Sequence, residues 1–185
     1  MNNRVCAFLL PFIALGMLAV SRTTLAAEVA ITSIGQTSDA MMMTVLTKRM
    51  NIDPDYDSVL SAKKLDGQKV IIAVVGGSSK GLGAAGISRE EEKNRGRTLL
   101  QAANSKGIKV IVMHIGGERR RGELTDSFIE TVAGFADRMI VVRSGNLDGI
   151  FTRTKPAKTP LTEVDSVQAT VPILENTLKA WGVAH

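Results

Sequence analysis

Two adjacent serines, a lysine and five glycines lie within Val70–Ser88 (VIIAVVGGSSKGLGAAGIS), where six β-prone apolar residues run into a glycine-rich stretch. Those residue types suit the capture of a small anion. Glycines at 76, 77 and 81 let successive backbone N–H groups point inward, Ser78 and Ser79 donate hydrogen bonds, and Lys80 supplies charge. Three further polar clusters follow apolar runs. Gln36, Thr37, Ser38 and Asp39 form the first. His114, Gly116, Gly117 and Arg119–Arg121 form the second, and Arg143, Ser144, Asn146 and Asp148 the third. An arginine fork from 119, 120, 121 or 143 would add bidentate recognition of a carboxylate or phosphate. His114 and Asp148 would orient the ligand.

Other chemistries fit the same residues less well. Gly77-Ser78-Ser79-Lys80-Gly81 matches G-x-S-x-G, the nucleophile-elbow pattern, with Ser79 as nucleophile and His114 as base. That pattern turns directly into a helix and places its histidine last. Here a capping box delays the next helix to Ser88, and His114 precedes Asp148. Dinucleotide binding needs a helix opening inside the glycine turn, and short-chain dehydrogenases add a tyrosine and a lysine four residues apart. The single tyrosine, Tyr56, lies upstream of the turn. A phosphate-binding P-loop needs lysine where Leu82 stands. Asp53, Asp55 and Asp57 imitate the start of a calcium loop, but Pro54 intrudes, and Ser58 and Lys64 replace its glycine and glutamate. Met41, Met42 and Met43 fan too widely on a helix to meet one ion and read as core filling. No metal or cofactor is expected.

The elements that would position these clusters are short and regular. Val29–Ile34, Val70–Val75, Val110–Ile115 and Met139–Val142 are nearly continuous apolar runs, as strands buried on both faces require. Helical segments separate them. Ser38 or Asp39 caps a helix reaching about Met50, and Ser88–Glu91 is a capping box for a helix ending at Lys106-Gly107. A third helix is expected near Ser127–Ala133. Val167, Val171, Leu174, Leu178 and Trp181 share one apolar stripe of a last helix, with Pro172 as a kink or as part of its first turn. Between Ile52 and Gln68 a short edge strand near Tyr56–Leu60 and one helical turn near Ala62–Leu65 are expected.

This alternation predicts a doubly wound α/β fold: a mostly parallel sheet of five or six strands in a flavodoxin- or Rossmann-like three-layer sandwich. Its order would be 2-1-3-4-5 or a six-stranded relative. The Val29 and Val70 strands then flank the switch point, where such sheets hold ligands. Parallel strands would gather all four polar clusters on one rim.

The first 26 residues read as an address. Arg4 precedes an apolar run from Val5 to Val20, and small residues Ser21–Ala27 follow, with Thr24 and Ala26 at a small-x-small cleavage site. Export to the periplasm or medium is expected, with cleavage near Ala26. Residues 27–185 then form a single α/β domain without cysteine, because Cys6 is the only one in the chain. A formal charge of +5, reduced by loss of Arg4 and Arg22, offers no basis for binding nucleic acid or, after cleavage, a membrane surface. The domain is too short for a two-lobed solute receptor but long enough for one lobe or for a homodimer.

The motifs GGSSKGLGAAGIS (76–88), MHIGGERRRG (113–122) and VVRSGNLDGIFT (141–152) together resemble a family of small exported bacterial proteins catalogued as a domain of unknown function. The resemblance implies an exported α/β domain and carries no reaction with it. Three functions follow as expectations: a binding domain for a small anionic or polar molecule, a serine-type hydrolase using Ser79 and His114, or an interaction module for an envelope protein partner.

Overall fold

The computed structural model describes residues 27–183. The expected signal peptide and the terminal His185 lie outside the described residues. Six parallel strands form one sheet in the order β2-β1-β3-β4-β5-β6. They are β1 (Val29–Ile34), β2 (Asp55–Tyr56), β3 (Val70–Val75), β4 (Lys109–His114), β5 (Arg138–Val142) and β6 (Leu161–Val164). The helices are α1 (Asp39–Arg49), α2 (Ser79–Ala85), α3 (Arg89–Ser105), α4 (Glu123–Val132), α5 (Ile150–Thr154) and α6 (Thr170–Ala180). The doubly wound fold read from the sequence is present in its six-stranded form. None of these helices is long and apolar enough to cross a membrane.

Alternation along the central strands divides the core into two layers. Ile71, Ala73 and Val75 of β3 join Leu99, Leu100, Phe128 and Phe151 on one face. Val70, Ile72 and Val74 join Met43, Leu174 and Leu178 on the other. Every residue of β3 has 0% exposure, and burial of each of its valine and isoleucine side chains stabilises the fold by about 1.5–3 kcal/mol. Both α1 and α6 cover the second face, while α3, α4 and α5 cover the first, as right-handed crossovers dictate for this order.

Several local expectations need correction. The edge strand is two residues long and sits at Asp55–Tyr56, ahead of the expected Tyr56–Leu60. Strand β6 was not expected; its sequence, LTEV, has too few apolar residues to read as buried. The third helix starts earlier, at Glu123. Pro172 is the third residue of α6, in its first turn, where its missing N–H leaves no gap and the helix needs no kink. Of the three consecutive methionines only Met43 is in the core, with Met41 and Met42 at 58% and 50% exposure. The largest correction concerns Gly76–Ile87. It is not a long open loop, because α2 begins at Ser79, immediately after the strand-end turn.

Candidate functional site

Parallel strands place the carboxyl ends of β1, β3, β4 and β5 on one rim, each followed by one of the four polar clusters. The register Ile34↔Val75 ends β1 and β3 at the same height. Their turns therefore abut, and Gln36 and Gly77 form an isolated bridge. Between these turns opens a cleft of about 520 Å³, at the expected switch point. Ser38, Tyr56, Ser58, Ser78, Lys80 and Arg120 bring four hydroxyls and two cations to its walls. Burial, then the neighbouring Asp57 carboxylate, pushes the Tyr56 phenol up, so near neutrality this hydroxyl is protonated and able to donate.

The glycine turn is built differently from an open anion cradle. Gly76 N–H donates to Ile34 O at 2.9 Å, and Ser78 N–H to Gly35 O at 2.8 Å. Gly77 N–H donates to Thr125 Oγ1 at 2.8 Å, and Gly81 N–H to Ser78 Oγ at 3.0 Å. These amides hold the turn itself, so the expected backbone cradle is replaced by side chains. Packing explains the glycines. A Cβ on Gly81 would overlap Gln36 O, and one on Gly77 would sit 2.7 Å from Leu124 Cγ. Ser78 is the N-cap of α2, Ser79 is its exposed first residue, and Lys80 is the second.

The β4 and β5 clusters are engaged with each other. His114 is fully buried, with Nδ1 at 3.0 Å from Val75 O and Nε2 at 3.1 Å from Gly117 O. Both ring nitrogens face backbone carbonyls, and the ring is not hydrogen-bonded to Ser79. Asn146 donates Nδ2–H to Thr152 Oγ1 and Glu163 Oε1, and its Oδ1 accepts Phe151 N–H at 2.9 Å. Asp148 accepts a bidentate pair from Arg121 at 3.0 and 2.9 Å, and Arg121 also donates to Asp126 at 2.7 Å and to Gly145 O. The Arg121 hydrogen bonds hold the Asp148 carboxyl well below the usual carboxylate range, and the same bonds push the Arg121 guanidinium up. None of His114, Asn146 and Asp148 lines the cleft. Gly116 and Gly117 shape the β4 turn: a Cβ on Gly116 would clash with Arg120, and Gly117 has φ +60°. Arg119 is exposed in a neighbouring hollow of about 270 Å³ that shares Arg120 with the cleft.

The model of one family matches residues 26–178, covering the whole rim. The chain belongs to the domain of unknown function DUF6305. No curated protein and no solved structure matches it.

Beneath the cleft of this DUF6305 chain lies an ion pair that the sequence reading missed. Glu92 is fully buried and accepts from Arg95 Nε and Nη2, both at 2.7 Å. The carboxylate also accepts from Gly35 N–H at 2.8 Å and from Gln36 Nε2 at 3.0 Å. Arg95 reaches on to Leu60 O at 2.7 Å and to Ser33 O. One pair thus ties α3 to the end of β1 and to the segment after β2. It fixes Gln36, whose φ of +59° is left-handed. In the sequence Glu92 reads only as one of three acidic residues at the start of α3. Its i+3 spacing to Arg95 was the available signal.

Proposed function

We propose that this domain is exported and binds a small anionic molecule in the cleft between the β1 and β3 turns. The observation that carries the reading is two cations on the cleft wall, Lys80 with no ion pair among the described residues and Arg120 with only a long one. Lys80 and Arg120 both line the cleft; among the described residues no carboxylate lies within 4.0 Å of Lys80, and the nearest to Arg120 is Asp39, at 4.0 Å. Weakly paired cations on a concave, hydroxyl-lined site favour an anion of ligand size. Ser38, Ser58, Ser78 and Tyr56 supply hydrogen bonds around it. The grip comes mainly from side chains, since the N–H groups of Gly76, Gly77, Ser78 and Gly81 are already engaged.

A serine hydrolase draws no support from the geometry. Ser79 has no base on it, because His114 is sealed behind the strand ends with both nitrogens on carbonyls. Ser79 is the first residue of α2 and is not one of the described non-glycine residues with positive φ, which are Gln36 and Asn51, so it lacks the strained backbone of a nucleophile elbow.

Isothermal titration of the full chain with sodium phosphate, sulfate, acetate and succinate tests the reading. At least one should give a saturable heat, weakened about tenfold or more by Lys80→Ala with Arg120→Ala, as expected for loss of charge-assisted hydrogen bonds. Flat titrations across the panel, or binding indifferent to both substitutions, would overturn it.

A further inference from the structure

A second groove lies at the opposite end of the strands from the rim. It encloses about 400 Å³ beside α6 and the starts of β5 and β6, within the size range of small-molecule sites. Arg138, the first residue of β5, lines it together with Asn176 of α6 and Trp181 at the end of that helix. Arg138 is half-buried, yet its guanidinium is under-bonded. Among the described residues its one hydrogen bond runs from Nη2 to Thr162 Oγ1, at 2.6 Å, and it makes no ion pair. Nε is buried without a partner; Nη1 also lacks one but is open to solvent. The neighbouring Asp137 carboxylate is taken by Lys109 at 3.0 Å and by Val110 N–H at 2.9 Å. Arg95 and Arg121, with side chains 13% and 12% exposed, show what a largely buried guanidinium ordinarily holds, since each grips at least one carboxylate. Arg138 has the burial without the anion.

Much of the remaining wall is apolar. Ile173 and Ala180 lie on one stripe of α6, Pro160 leads into β6, and the Trp181 indole completes the lining. Lys109 Nζ stands 6.0 Å from the centre of the Trp181 ring, but its charge is balanced by Asp137. The groove is thus left with a single uncompensated positive charge among hydrocarbon. A compact, strongly hydrated ion would lose water there and gain nothing from the walls. We propose that this groove binds a small monocarboxylate with a hydrocarbon body, the acid accepting from Arg138 Nη1 and the body packing on Trp181, Ile173 and Pro160. Asn176 supplies an amide beside them. The site is independent of the rim cleft, with which it shares no lining residue.

Trp181 is the only tryptophan in the chain, so its fluorescence reports on this groove. Hydrocinnamate, hydrocinnamyl alcohol and acetate separate the two requirements, since the alcohol lacks the charge and acetate lacks the body. Titrated into the full chain, hydrocinnamate should shift the emission saturably and bind about tenfold or more tightly than either, as loss of a charge-assisted hydrogen bond or of buried hydrocarbon implies. Arg138→Gln should weaken hydrocinnamate about tenfold and leave the alcohol unchanged. Lys80→Ala with Arg120→Ala should alter neither titration. A flat titration with hydrocinnamate, equal binding of acid and alcohol, or affinity that survives Arg138→Gln would overturn the proposal. So would loss of the response in the Lys80→Ala, Arg120→Ala variant, which would move the acid to the rim cleft and support the anion reading there. Should Arg138→Gln fail to fold, the comparison of acid with alcohol in the wild type decides alone.

Discussion

The two halves of the rim carry similar residues in opposite states. On the β4–β5 side, His114, Asn146, Asp148 and Arg121 each find partners within the protein, and the cluster is closed. On the β1–β3 side, Lys80 has no carboxylate partner among the described residues, Arg120, which reaches the cleft from the β4 turn, has a loose one, and the buried Asp39 Oδ2 has none. The strand ends are equally well aligned on both sides. What differs is whether the neighbouring turn supplies a complementary group. Placement at a strand carboxyl end therefore brings polar groups together, and the local partner decides which of them remain available to a ligand.

The contrast is best broken where the open side leans on a closed one. Glu92→Ala leaves Arg95, 13% exposed, without its buried partner and strips the acceptor from Gly35 and Gln36. Removing one member of a buried pair costs about 3–5 kcal/mol, so urea unfolding should show a loss of that size and the cleft should lose affinity with it. A loss below about 1 kcal/mol would mean that the left-handed Gln36 turn holds without its clasp.

Arg121→Ala attacks the closed side and should cost less, about 1–3 kcal/mol, because the freed Asp148 is half exposed and regains water. Its effect depends on pH. The folded Asp148 is depressed, chiefly by its hydrogen bonds to Arg121. Such a group contributes its stability fully above the ordinary carboxylate value, about 3.9, and loses it as pH falls through the folded value. The urea-midpoint gap between wild type and variant should therefore be widest at about pH 5 and above and narrow steadily below about pH 4. A gap independent of pH would place the contribution of Arg121 in its bond to Gly145 O instead.

How much of this the sequence disclosed depends on whether a residue's role is set by its type or by its neighbours. Val70–Val75 was legible because six aliphatic residues in a row have only one favourable environment, a strand covered on both faces. Helix α2 was not, because Gly81 and Gly83 weaken intrinsic helix formation. The close approach of Gln36 O to Gly81 requires a glycine there, so tertiary packing overrides propensity. The arginine run shows the same limit at a functional site. Arg119, Arg120 and Arg121 are indistinguishable in sequence, yet Arg121 is locked into two carboxylates, Arg120 lines the cleft and Arg119 lies outside it. His114 was legible as a strand-end histidine, but its two carbonyl partners come from the end of β3, distant in the chain, and from the turn that bends back after His114 itself.

Asp39 sets two modest effects against each other. A carboxylate in the first turn of α1 gains about 0.3–1 kcal/mol from the helix dipole, whereas an unsatisfied buried acceptor costs about 1–3 kcal/mol. The second exceeds the first. Asp39→Ala, which removes the orphan acceptor altogether, should therefore stabilise the ligand-free protein by about 1 kcal/mol, raising Tm by about 2–4 °C in a calorimetric scan. A decrease would align Asp39 with the closed side of the rim.

Lys80→Ala should have the smallest effect on stability, within about 0.5 kcal/mol, and that small value is informative. Lys80 is exposed and is the second residue of α2, so its charge lies at the positive end of the helix dipole, where a cation is mildly disfavoured. Alanine removes that penalty and improves helix propensity by a few tenths of a kcal/mol. No ion pair is lost, in contrast to Lys64, which lies 2.6 Å from Asp57. Every folded-state term therefore predicts a neutral or slightly favourable substitution. A lysine that contributes nothing to the fold but weakens anion binding when removed would be acting on a ligand alone, which is the difference drawn between the two sides of the rim. A destabilisation of 1 kcal/mol or more by chemical denaturation would instead mean that Lys80 has a partner within the protein, and the open side would shrink to Arg120 and Asp39.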